Sequence, residues 1–142
     1  MNFVRPKNVK YTKSQKKRIL RTPSKRNSSL NFGIVGVKAL EAGKITHNEI
    51  ESFRRTITNN TKRRVKIWIN IFPHTPLTFK GVGMRMGKGK GQVKNYVARI
   101  REGNILFELN GQNINLIESS AIKAMKKISL KTKLIFLKET LL

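Results

Sequence analysis

Cysteine and aspartate are both absent from this chain, and its seven acidic residues are all glutamates. Without cysteine there is no disulfide framework, no thiolate zinc site and no thiol nucleophile, and thiol usage says nothing about redox compartment. Without aspartate, and with its glutamates scattered, the chain has no obvious source of the convergent carboxylates that a metal-dependent nuclease requires. Nor does any apolar run approach the about 20 residues needed to span a bilayer as a helix, which excludes an integral membrane protein of that kind.

What the chain does have is positive charge. It carries 31 Lys and Arg in 142 residues, for a formal net charge of +24. A field of that size dictates partners rather than fold: nucleic acid, an anionic membrane or a polyacidic protein. The length suits one domain with one core, and a hydrophobic content of 38% is compatible with a folded body.

The charge is unevenly placed. Met1 to Leu40 hold eleven Lys/Arg and no acid, Glu41 being the first carboxylate. So polar a stretch cannot offset its ordering entropy alone, so residues 1–30 are expected to form a basic arm that orders on RNA, ahead of one domain over 31–142. A mitochondrial transit peptide has a similar composition, but the arm lacks a clear apolar helical face, and Tyr11 sits among cations as in RNA-binding arms.

Periodicity supplies the elements of the body. Asn31 to Lys38 reads as a β-branched strand dotted with glycine. Thr46 and Glu49 form a capping-box pattern ahead of Ile50, Phe53 and Ile57, which predicts a helix from about His47 to Arg64 with Arg54, Arg55, Lys62, Arg63 and Arg64 on its outer face or in its last turn. Val65 to Phe72 alternates as a strand, and Pro73 to Pro76 should break it. Leu77 to Gln92, with five glycines and no acid, is expected to be a long functional loop. Asn95–Arg101 and Ile105–Leu109 read as a hairpin turning at Glu102-Gly103-Asn104. Asn113 can cap a second helix through Leu116, Ile117, Ala121, Ala124, Met125 and Ile128, and Leu130–Lys138 closes as a strand. Two helices with four or five hairpin-linked strands predict an α+β fold, its helices packed on a largely antiparallel sheet.

Chemistry concentrates at Arg85-Met86-Gly87-Lys88-Gly89-Lys90-Gly91. Alternating glycines let the backbone bend and lie close to another surface, while the cations face anions. A nucleotide-hydrolysing P-loop would need G-x-x-x-x-G-K-[ST]; Lys88 and Lys90 are each followed by glycine, and Val82 and Met84 stand where the first glycine belongs, so that motif fails. A small metal-free ribonuclease could use His47 and His74 as acid and base with Lys88 on the phosphate. A basic protein that compacts DNA or binds anionic membrane is a third possibility. With no zinc-finger, homeodomain or recognition-helix pattern, RNA is favoured over duplex DNA.

Several motifs, in order and at matching spacing, resemble one family. They are Arg5-Pro6-Lys7, Phe32 to Ala39 (FGxxGxKA), Thr46 to Arg55 (TxxxIExxRR), Lys66 to Thr78 (KIWIxxFPxxPxT), Arg85 to Gly91, Tyr96-Val97-Ala98, Phe107-Glu108 and Lys131-Thr132. On these residues the chain resembles the large-subunit ribosomal protein L-sixteen family, bacterial and organellar form, over nearly its whole length. The resemblance implies a structural ribosomal protein, not an enzyme, with large-subunit rRNA, tRNA and neighbouring ribosomal proteins as partners and no cofactor, metal or small-molecule substrate. Its expected place is near the peptidyl-transferase centre, where it would help to position tRNA at the aminoacyl site, with the peptidyl site a further option. It implies rRNA contact by arm residues Arg5, Lys7, Lys10, Lys13, Lys16, Lys17 and Arg18, joined by Arg54, Arg55, Arg63 and Arg64 of the first helix. It implies a tRNA-proximal loop comprising Lys80, Arg85, Met86, Gly87, Lys88, Gly89, Lys90 and Gly91. Phe79, Gly81 and Lys94 depart from the family pattern and make the loop more flexible and more basic. A bias to Lys, Asn and Ile, as AT-rich coding produces, together with a family pattern that begins at Arg5, points to a mitochondrion-encoded protein ahead of a plastid or bacterial one.

Overall fold

The structure, a computed structural model, describes residues 6–15, 18–19 and 22–137. Their elements run β1 (Val35–Ala39), β2 (Gly43–Thr46), α1 (His47–Asn60), β3 (Lys66–Ile69), β4 (Thr75–Phe79), β5 (Gln92–Ile100), β6 (Ile105–Asn110), α2 (Ile114–Met125) and β7 (Thr132–Phe136). The fold is α+β, as the periodicity predicts, with every strand pair antiparallel. The strands form two sheets, β3-β6-β1-β7 and β2-β5-β4, rather than one sheet of four or five strands. The hairpin expected of Asn95–Arg101 and Ile105–Leu109 does not form: β5 pairs with β2 and β4 while β6 pairs with β1 and β3, and the turn at Gly103 carries the chain between the sheets, Gly103 N–H and Asn104 O bonding to Ala39 at the end of β1 instead of to β5.

Both additional strands have a physical reason for escaping the sequence pattern. β4 contains Pro76, which reads as a breaker, but β4 is an edge strand of its sheet and an edge tolerates the missing N–H. β2 is only four residues long and runs straight into the helix cap. The long loop is accordingly Lys80–Gly91, since Leu77–Phe79 and Gln92 belong to strands.

α1 starts where its capping box dictates. Glu49 N–H donates to Thr46 Oγ1 (3.3 Å), and Thr46 N–H donates back to the Glu49 carboxylate (2.6 Å). The helix ends at Asn60, not Arg64: Lys62 and Arg63 adopt left-handed φ of 48° and 62°, and Thr61 and Arg63 N–H close on the carbonyls of Ile57 and Thr58. Lys62, Arg63 and Arg64 therefore lie past the last turn, and the expected dipole contribution there does not arise.

The core lies between the helices and one face of the four-stranded sheet. Ile50, Phe53 and Ile57 of α1 and Ile117, Ala121 and Ala124 of α2 pack on Val35, Val37, Phe107 and Leu109, and the Phe53 and Phe107 rings stack with centroids 3.8 Å apart. Full burial of each such large side chain contributes roughly 1.5–3 kcal/mol.

Strand alternation turns Glu108, Trp68 and Gly36, which are register partners, to the opposite face. Residues 24–33 cross that face. Ser24 N–H donates to Glu102 O (2.8 Å), Ile105 N–H to Asn27 O (2.7 Å), and Leu30 lies over Gly36. Glu108, fully buried, then accepts on Oε2 from the backbone N–H groups of Asn31 (3.0 Å), Phe32 (2.7 Å) and Gly33 (2.9 Å), and on Oε1 from Asn70 Nδ2 (2.6 Å).

Candidate nucleic-acid interface

The glycine-lysine run projects from the end of the β4–β5 hairpin. Gly87, Lys88 and Gly89 take left-handed φ of 99°, 51° and 81° in succession, which two glycines make possible and which curls the backbone tightly at the tip. Lys80 Nζ donates to Gly87 O (2.6 Å), drawing the tip toward the loop base. The result is a concavity of about 900 Å³ lined by Phe79 to Gly81 and Met84 to Lys94. Arg85, Met86, Lys88 and Lys90 are exposed, and Met86 and Val82 project almost wholly into solvent at 94% and 100%. At the base, Lys94 Nζ sits 4.8 Å over the Phe79 ring.

The arm meets this loop. Lys13 Nζ donates to Lys90 O (2.7 Å), and Lys90 Nζ donates in return to Ser14 O. Residues 77 positions apart are thereby joined, so the cations of the arm and of the loop form one surface. Lys7, Lys10, Lys13 and Arg18 are all exposed on it or beside it in the chain. Arg5, Lys16 and Lys17 lie outside the described residues. Among the described residues the ion pairs are confined to Glu51, so these clustered lysines have no carboxylate to neutralise them. Like charges held together this way create a strong positive potential, which an anion relieves.

The helix cations are arranged differently. Arg54 grips Glu51 with two bonds, Nε to Oε2 (2.9 Å) and Nη2 to Oε1 (2.7 Å), and Arg55 Nε reaches the same Oε1 (2.9 Å). Hydrogen bonding from Arg54, against an opposing effect of partial burial and with help from Arg55, holds the Glu51 carboxyl down to about 2. Two of the cations expected on a free outer face thus share one carboxylate, while Arg63 and Arg64 are exposed beyond the helix end. The spacing of Glu51 to Arg54 and Arg55, three and four residues on, is the signal that would have revealed the sharing.

His47 is buried in the first turn of α1, whereas His74 is exposed in the turn before β4 with Nδ1 3.2 Å from Phe72 O. One imidazole inside the fold and one on its surface do not form an acid–base pair open to a substrate.

Sequence periodicity does not reveal the group that anchors the arm. Burial pushes the Glu108 carboxyl up, but the hydrogen bonds from Phe32, Gly33, Asn70 and Asn31 outweigh it, and the group is held below the usual carboxylate range. Beside it Phe32 stacks on Trp68 with centroids 6.0 Å apart, and Lys66 Nζ lies 4.9 Å from the Trp68 ring. The arm therefore leaves the body from a fixed point.

Comparison with known proteins accords with this geometry. The family described as ribosomal protein L16p/L10e matches residues 6–135. Among individual proteins, the chain is 44% identical over 130 residues to the large ribosomal subunit protein uL16 of Kosmotoga olearia, covering 92% of each chain. It is 42% identical over 133 residues to the protein of the same name in Erythrobacter litoralis, covering 94% of this chain and 92% of the relative.

Proposed function

This chain belongs to the ribosomal protein L16p/L10e family, and we propose that it binds large-subunit rRNA through its arm and body and helps to position tRNA with the loop Lys80–Gly91. Membership makes it a structural protein of the large ribosomal subunit rather than an enzyme, associated with rRNA and other ribosomal proteins. The observation that carries the finer reading is the reciprocal contact of Lys13 and Ser14 with Lys90, which merges arm and loop into one basic surface. Phosphate contacts from such cations dominate affinity for RNA, and an extended arm beside an extended loop can enter crevices that a flat face cannot.

Roles divide along the chain. Lys7, Lys10, Lys13 and Arg18 of the arm, with Arg5, Lys16 and Lys17, neutralise rRNA phosphates, as do Arg63 and Arg64. Arg54 and Arg55 are held by Glu51 and add less net charge. Arg85, Lys88 and Lys90 face tRNA at the aminoacyl site with Met86 on the same exposed tip, Gly87 and Gly89 permitting close backbone approach and Gly91 letting the loop close on the Phe79 backbone. The compartment proposed is the mitochondrion, supported by the Lys, Asn and Ile bias of the sequence; among the described residues no helix is long and apolar enough to cross a membrane.

Sedimentation with ultraviolet crosslinking tests this. The protein should sediment with large subunits in moderate salt and crosslink to large-subunit rRNA through the arm and to tRNA through the loop. Protein that sediments free of subunits, or crosslinks to neither RNA, overturns the reading.

A further inference from the structure

A second basic cleft, of about 570 Å³, lies where the arm crosses the connection between β5 and β6. One wall is Pro23 to Arg26 of the arm; the other is Arg99 near the end of β5 with Arg101 and Asn104 of the β5–β6 turn. The walls are tied together by Ser24 N–H donating to Glu102 O and Ile105 N–H donating to Asn27 O, and Ser24 Oγ bonded to Arg26 O (2.8 Å) shapes the arm side. The cleft is therefore built into the fold and not an accident of side-chain placement. Lys25, Arg26, Arg99 and Arg101 line it with no carboxylate among them, and Lys44 stands opposite Arg99 in the strand register.

Two polar atoms of this cleft are unusual. Arg99 Nε and Asn104 Oδ1 are both buried, and neither has a hydrogen-bond partner among the described residues. Buried polar groups are nearly always paired, so an orphan donor and an orphan acceptor in one cationic cleft call for a ligand offering both partners. A phosphate oxygen satisfies the guanidinium but has no proton to give Asn104 at neutral pH. A ribose 2′-hydroxyl beside that phosphate does, and it meets the carboxamide in either orientation, since it both donates and accepts.

Resting on the reading that the chain binds RNA, we propose that this cleft holds one ribose-phosphate step of an RNA strand. The Arg99 guanidinium donates to a phosphate oxygen, flanked by Lys25, Arg26 and Arg101, and Asn104 engages the neighbouring 2′-hydroxyl. The site is separate from both the arm tip and the glycine loop, and it gives the body a preference for RNA over DNA that phosphate contacts alone do not supply.

The test uses the full chain, a large-subunit rRNA segment and single-stranded DNA of the same sequence, with affinities measured across a salt series. Arg99→Gln with Arg101→Gln should reduce the slope of log affinity against log salt by about 0.7–0.9 per phosphate contact removed. Asn104→Ala should leave that slope unchanged and cut the RNA-over-DNA ratio by about 2- to 10-fold, the worth of one hydrogen bond. If either variant loses native circular dichroism, Lys25→Gln with Arg26→Gln, both on exposed arm positions, is read for the slope instead. Natively folded cleft variants with wild-type slope and wild-type RNA-over-DNA ratio overturn the inference. If Lys88→Ala with Lys90→Ala still lowers the slope in that case, the general RNA-binding reading stands without this cleft. A wild-type chain with no salt-dependent affinity for the rRNA segment overturns both.

Discussion

The carboxylate of Glu108 accepts a hydrogen bond from Phe32 N–H at 2.7 Å across 76 residues of sequence, and the Phe32 ring stacks on Trp68, which is Glu108's partner in the strand register. All four groups converging on Glu108 are donors. Glutamine in its place can accept through one atom only and turns an NH₂ toward donors already present. Glu108→Gln should therefore cost about 2–4 kcal/mol, the range for hydrogen bonds to a charged group with a buried donor left unmet. Trp68 is the sole tryptophan. Release of residues 31–33 should red-shift its emission at denaturant concentrations where the far-ultraviolet helix signal is still native; coincident transitions would count against the latch.

Acid should open the same latch. The Glu108 carboxyl is held below its ordinary value of 4.5, so its contribution to stability is fully present above that value and is lost as pH falls through the lower folded value. Glu51 titrates in the same direction, between 4.5 and about 2. Its partners Arg54 and Arg55 are 42% and 70% exposed, so solvent screening reduces its contribution to below about 1 kcal/mol. Melting temperature should fall from pH 5 toward pH 2, steeply in the wild type and with a shallower slope in Glu108→Gln, while Glu51→Gln stays close to wild type. Because rising positive charge destabilises all three proteins alike, the difference between slopes is the quantity to measure.

Gly33 gives an independent handle on the same segment. A Cβ there would stand 2.7 Å from Leu109 N and 2.8 Å from Leu109 O, backbone atoms of a central strand that cannot move aside. Gly33→Ala should destabilise by about 1–3 kcal/mol through overpacking. Combined with Glu108→Gln it should cost less than the sum, since each change already frees the segment the other holds. Strict additivity in a double-mutant cycle would show that the two act on separate structures.

What could be read from the sequence, and what could not, follows from how local each interaction is. The Thr46–Glu49 cap and the Ile50, Phe53, Ile57 stripe involve neighbours within a few turns, and both form as the pattern predicts. The turn at Gly103 forms with its own left-handed φ of 85°, but the hairpin it suggests does not, because β5 and β6 pair with other strands in separate sheets. By contrast β4 depends on lying at a sheet edge, where Pro76 is harmless, and edge position is a property of the whole topology. The attachment of residues 31–33 depends on a glutamate more than 70 positions away. At the site, the exposure of Arg85, Lys88 and Lys90 was legible from glycine spacing, whereas the contact of Lys13 with Lys90 was not. Arg99 and Arg101 read simply as strand residues, because nothing in their own neighbourhood shows that the arm closes over them.

The loop cations separate function from stability. Lys88 is exposed and makes no hydrogen bond among the described residues, whereas Lys90 is exposed but bound to the arm. Truncation of such surface side chains changes stability by no more than about 0.5 kcal/mol. Lys88→Ala alone should leave melting temperature and subunit incorporation unchanged while weakening tRNA occupancy of the aminoacyl site. Lys90→Ala should do the same and also loosen the arm, because Ser14 O loses its donor. Its signature is faster proteolysis within the arm, absent from Lys88→Ala, and both variants should still enter large subunits. Measuring incorporation by sedimentation, tRNA occupancy by filter binding to purified subunits and arm cleavage by limited proteolysis distinguishes the two. Equal loss of subunit incorporation and of tRNA occupancy in Lys88→Ala would show that the loop serves assembly and not tRNA placement.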